Sequence, residues 1–259
     1  PPQTYSLLAD PWFYVTAVPA VVLVGLSKGG LGGAMALIGV PLMTLVISPV
    51  QAAAIMLPIL IVMDIVSLWS WRGHRDDLTL KLMLPGALAG IGIGWLTAAV
   101  VTAGAVRLIV GVVALAFALR WLWQKLRSIE HVGSHSAIRG TFWGVISGFT
   151  SFVAHAGGPP YKVYPLPLRQ TPSLFVGTSV TFFAIMNAVK LIPYFALGQF
   201  DATNLAASAV LMPIAPLATL AGAWIVRRIK PEMFYPFMYT MVMIVGAKLI
   251  WDGVFELWG

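Results

Sequence analysis

Cysteine is absent from this chain of 259 residues, which excludes disulfides, thiolate metal sites and cysteine nucleophiles and leaves the redox compartment undecided. Charge is scarce as well: 10% of the residues are Asp, Glu, Lys or Arg, against roughly 25% in soluble domains. Within the apolar runs stand one central carboxylate, Asp64, and one histidine, His155, with no paired acidic motif and no metal triad. An enzyme needs a convergent acid, base and nucleophile, so the chain reads as non-enzymatic, with no cofactor and no metal. The net charge of +7 raises nucleic acid as a partner, but no soluble domain is left to carry a solvated basic face, so none is expected.

Hydrophobic residues make up 59% of the chain, which therefore reads as an all-α integral membrane protein with the lipid bilayer as its main partner. Apolar runs fall at 12–26, 34–48, 52–72, 78–100, 105–125, 138–154, 160–168, 174–195, 203–226 and 231–257. A spanning helix needs about 20 residues, so six runs are full length and four are short. The first run has no basic residues before it and does not read as a signal peptide, and the Pro1-Pro2-Gln3 start is expected to be trimmed.

The short runs form two pairs, each joined by glycine-rich, helix-breaking backbone: Gly25 to Pro41 and Gly148 to Pro167. Such backbone is tolerated at membrane depth only where it is buried in protein or lines a cavity. Each pair reads as a broken or re-entrant helix pair followed by three transmembrane helices. A shift of 123 residues places Gly25 on Gly148, Pro49 on Pro172 and Asp64 on Asn187. Two repeats are expected, 1–125 and 138–259, joined by a cytoplasmic linker at 126–137. His131 and His135 of that linker are four apart, a metal-like spacing, but the solvated-linker reading is preferred because no third ligand is near.

A re-entrant pair returns to its own side and three spans cross over, so the repeats would be inverted. Arg72, Arg75, Lys81, Arg120, Lys125, Arg127, Arg139, Arg169, Arg227, Arg228 and Lys230 then share one side, with Arg107 near the other. The positive-inside rule makes the shared side cytoplasmic and both termini periplasmic. Trp69, Trp71, Trp121, Trp123, Trp224 and Trp251 stand near run ends and read as interfacial belts.

Lys28, Asp64, Lys162, Lys190 and Lys248 lie inside or near apolar runs, where an ionisable side chain normally faces a cavity or a partner. Their excess is positive, which points to an anion. Lys28 is read at the start of a half-helix, where backbone N–H groups also favour an anion, and Gly29, Gly30, Gly32 and Gly33 would bring that backbone close. Close helix packing is the competing reading of these glycines. In the second break, Thr150, Ser151 and His155 supply donors, and Gly157 and Gly158 precede a proline pair that starts a half-helix. Asp64 is expected to pair with Lys28 or to accept a coupling proton. Asn187 and Lys190 share a helix face and could join the site, while Lys162 is read as snorkelling, and Lys248 with Asp252 as an interfacial pair.

With its glycine cluster at Gly25 to Pro41, its Ser151-Phe152-Val153-Ala154-His155-Ala156-Gly157-Gly158-Pro159-Pro160 run and its two-repeat hydropathy, the chain resembles the sulfite exporter TauE/SafE family of bacterial membrane transporters. The resemblance covers nearly the whole chain. It implies transport of a small sulfur-containing anion such as sulfite or an organosulfonate of the sulfoacetate kind, generally outward, across the bacterial inner membrane without ATP hydrolysis. An anion channel, or an uptake carrier for another small oxyanion or carboxylate, is the alternative on the same scaffold, and a homodimer is an option. Ser151 stands where the repeat alignment places Lys28, so the two halves would serve a site unequally.

Overall fold

The computed structural model describes residues 7–31, 36–97, 100–128, 132–196 and 202–258. Gly32, Gly33 and His131 lie outside the described residues. The helices are α1 (Pro11–Leu26), α2 (Ala36–Met43), α3 (Pro49–Ser70), α4 (Asp77–Thr97), α5 (Ala103–Leu126), α6 (Ala137–Ala154), α7 (Gly158–Val163), α8 (Pro172–Ala196), α9 (Ala202–Leu211), α10 (Ile214–Arg228) and α11 (Pro231–Trp258). A kinked turn, Ser27–Leu31, with non-helical backbone at Gly30, follows α1, and a 3-10 turn, Leu166–Leu168, follows α7. No strand occurs among the described residues.

Helix starts follow the local chemistry. Asp10 caps α1 by accepting from Trp12 N, Ser48 caps α3 by accepting from Gln51 N, and Ser136 caps α6. Each side-chain oxygen satisfies a backbone donor that has no partner in the first turn. By length and composition five helical stretches can cross a membrane, and a bent pair brings the number to six. That pair differs from the single straight span expected at 203–226: α9 and α10 meet at a 45° bend. Pro213 and Pro216 remove backbone donors there, which breaks the ladder.

The chain packs as two compact units, and each takes segments from both halves of the sequence. Unit 1 comprises 1–73 and 183–229, and unit 2 comprises 74–182 and 230–259; α8 contributes to both.

In unit 1, Phe13, Ala17, Val21 and Val24 of α1 pack with Met43 of α2, Ile55, Ile59 and Met63 of α3, and Leu211 and Ala215 at the bend. The short α2 runs back along α1, since a Cβ on Gly39 would stand 2.3 Å from Val24 Cγ2 and 3.3 Å from Ala20 O. The first broken pair is therefore re-entrant. In unit 2, α6 enters and α7 returns to the same end: Gly133 N donates to Pro167 O at 2.8 Å, and Ser136 N to Tyr164 Oη at 3.1 Å. Gly25 and Gly148 each allow a close helix approach in their own units. A Cβ on Gly25 would meet Ala218 Cβ of α10 at 2.5 Å, and one on Gly148 would meet Ala87 O of α4 at 2.0 Å.

Candidate functional site

In unit 1 the polar residues converge on the end of the first entering arm. Gly30, at φ 131°, turns the backbone in a region that side chains other than glycine avoid. Gly29 lets it pass α10, because a Cβ there would lie 2.3 Å from Thr219 O. Lys28 Nζ donates to Asp64 Oδ1 at 2.6 Å, and Asn187 Nδ2 donates to Asp64 Oδ2 at 2.8 Å. Both carboxylate oxygens are thus held, one from the entering arm and one from α8. Lys190 is buried and lies within electrostatic reach of both Lys28 and Asp64. The cluster carries two lysines against one carboxylate, an excess of one positive charge.

Lys28 sits in the turn Ser27–Leu31 at the end of the entering arm, beside the kink at Gly30. Two residues that the sequence did not assign to the site bond to carbonyls of this turn. Ser67 Oγ donates to Lys28 O at 2.9 Å, and Trp71 Nε1 donates to Gly29 O at 2.9 Å. Asp64, Ser67 and Trp71 recur at helical spacing on one face of α3, a signal that was available. Trp71 is thereby corrected: it is 3% exposed, with the Arg227 guanidinium 5.0 Å from its ring, and is no belt residue. Trp69, Trp224 and Trp251 are exposed, as a belt requires.

Unit 2 turns its chain without charge at the tip. His155 adopts the left-handed conformation at φ 53° and ends α6, and its side chain is exposed. Thr150 and Ser151 are buried. The Thr150 hydroxyl donates to Ile146 O at 2.7 Å, and Ser147, which the sequence also left unmarked, donates to Gly157 O at 2.9 Å. A Cβ on Gly157 would approach Ser151 Cβ to 2.6 Å and Ser147 O to 2.7 Å. The returning arm starts at Gly158 with Pro159 and Pro160 in its first turn, as the sequence suggested. Lys162 is 6% exposed and does not snorkel to a polar surface. Lys248 and Asp252 pair at 2.7 Å, away from both turns.

Residues 17–249 match the family model described as Sulfite exporter TauE/SafE. The chain belongs to that family. Among curated proteins and solved structures none matches at a significant level. TauE/SafE membership and the apolar helices make this a membrane protein of a transporter family of the sulfite-exporter type.

At the root of unit 2, outside the spans, Asp76 accepts from Thr79 Oγ1 at 2.6 Å and Leu78 N at 3.1 Å, and from Gln170 Nε2. His135 Nε2 stands 3.5 Å from it. Burial pushes this carboxyl upward, but the bonds from Thr79 and Leu78 and the charge of His135 outweigh burial and hold it below the ordinary carboxylate range. This TauE/SafE chain thereby ties its linker to the foot of the returning arm.

Proposed function

We propose that the protein is a secondary carrier that exports a small sulfur-containing anion, sulfite or a short organosulfonate such as sulfoacetate, across the bacterial inner membrane. The observation that carries this reading is the buried Lys28–Asp64–Asn187 network with Lys190 beside it, whose excess positive charge suits one anion. Lys28 has three N–H donors, and among the described residues one is engaged, by Asp64. The others point the way for an oxyanion to be held next to the carboxylate. Gly29, Gly30 and Asn187 frame that position, and Thr150, Ser151, His155, Gly157 and Gly158 shape the second turn that would move with it.

Asp64 is the proposed coupling residue. A proton on Asp64 removes the charge that offsets Lys28, so anion and proton binding reinforce each other and anion affinity falls as pH rises. The inverted-repeat arrangement draws support from the direct bond between the repeat mates Asp64 and Asn187, which is what residues near a pseudo-two-fold axis would make. The gathering of Arg120, Arg139 and Arg169 at one end of unit 2 agrees with periplasmic termini.

A thermal-shift screen of the purified protein against sulfite, sulfate, thiosulfate and short organosulfonates should find a stabilising anion. In Lys28→Ala that stabilisation should fall well below that of the wild type while the protein stays folded; undiminished binding would refute the site. With an organosulfonate, whose charge is constant near neutral pH, Asp64→Asn should remove the pH dependence of affinity. Proteoliposome flux at rates far above those of carriers would favour a channel instead.

A further inference from the structure

We propose that Lys162, on the returning arm of the second re-entrant element, holds a small oxyanion of its own. The inference rests on the anion-transport reading and extends it to unit 2. Lys162 is 6% exposed, carries three N–H donors and accepts nothing. Among the described residues it makes no hydrogen bond and no ion pair. The other lysines placed in or near apolar runs differ. Lys28 has Asp64, Lys248 has Asp252, and Lys190 shares the field of Asp64.

An ammonium taken out of water without a partner is strongly disfavoured, and burial removes the usual escape of reaching a polar surface. A guest that brings its own negative charge resolves this. Three donors on one ammonium suit the oxygens of a sulfonate, sulfite or sulfate.

A route for such a guest is present in the same unit. A cavity of about 740 Å³ is lined by Val163 and Tyr164, the residues directly after Lys162, and by Arg120, Lys125, Arg139 and Arg169. Glu232 is the one acidic residue of that lining. A cleft walled mainly by positive charge concentrates anions from solution. It therefore delivers them to the foot of the arm on which Lys162 stands.

The test uses the full chain in detergent, with methanesulfonate and sulfite as probes, and compares the wild type with Lys162→Met, which keeps length and apolar area. Without anion, Lys162→Met should unfold at a higher temperature than the wild type, because a buried charge without a partner has been removed. With anion, its stabilisation should weaken by at least about tenfold in apparent affinity. Lys162→Gln, which keeps two donors but no charge, should fall between the two. A Lys162→Met protein that is destabilised or unfolded without anion would overturn the proposal, since the lysine would then be a structural anchor. An anion response undiminished in Lys162→Met would overturn it equally and leave the Lys28 site standing. Absence of any anion response in the wild type would instead sink the transport reading, and Lys162 with it.

Discussion

The first re-entrant element ends its entering arm in a charged network, whereas the second ends its own in hydroxyls and prolines. In unit 1, Lys28, Asp64 and Asn187 are joined, and Ser67 and Trp71 of α3 satisfy the carbonyls of the turn. In unit 2, Ser147 and Thr150 reach carbonyls of the turn and of α6 itself, and Pro159 and Pro160 restart the helix. Both solve the same physical problem, a broken backbone ladder away from bulk water. The first borrows its donors from a neighbouring helix and the second from its own arm. In the first, the partners of Lys28 and of the turn carbonyls therefore stand on α3 and α8 rather than on the arm itself.

The contrast can be broken most severely at Asp64. Asp64→Ala leaves the largely buried Lys28 uncompensated and should destabilise the protein by about 3–5 kcal/mol, measured by chemical unfolding in detergent. Asp64→Asn should lose less, because an amide oxygen can still accept from Lys28. Equal losses would show that the charge of Asp64 does not matter to folding. Next come the two tight turns. Gly29→Ala and Gly157→Ala push a methyl against fixed backbone, at 2.3 Å from Thr219 O and 2.7 Å from Ser147 O, and should each cost about 1–3 kcal/mol. A neutral Gly157→Ala would mean that the second turn adjusts where the first does not.

The smallest effect concerns the foot of the second element. Asp76 titrates below its ordinary value in the folded chain, so its stabilisation is full at neutral pH, above the unfolded value. It is lost as pH falls through the folded value, below the ordinary carboxylate range. Thermal scans should show acid destabilisation that is shallower in Asp76→Asn. Identical profiles would detach Asp76 from the stability of that foot.

Much of the architecture was legible because hydropathy and glycine spacing report it directly. The apolar runs became helices within a few residues of their expected limits, and both glycine-rich breaks became re-entrant turns. Single residues were harder. Trp71 looked interfacial because it stands at a run end, and only the packing of α3 against the first turn shows its indole spent on Gly29 O. Ser67 and Ser147 were passed over, since a serine in an apolar helix gives no sign of which carbonyl it will meet.

The sequence by itself determined the membrane setting, the all-helical class, with the Pro213 bend as the exception among the described residues, and the family. These follow from local composition and from residues that recur at a fixed spacing. The partners of each charge were decided only by tertiary structure, because a hydrogen bond across dozens of residues depends on how helices pack. That packing ties Lys28 to Asp64 and Asn187, and it leaves Lys162 buried without a partner among the described residues.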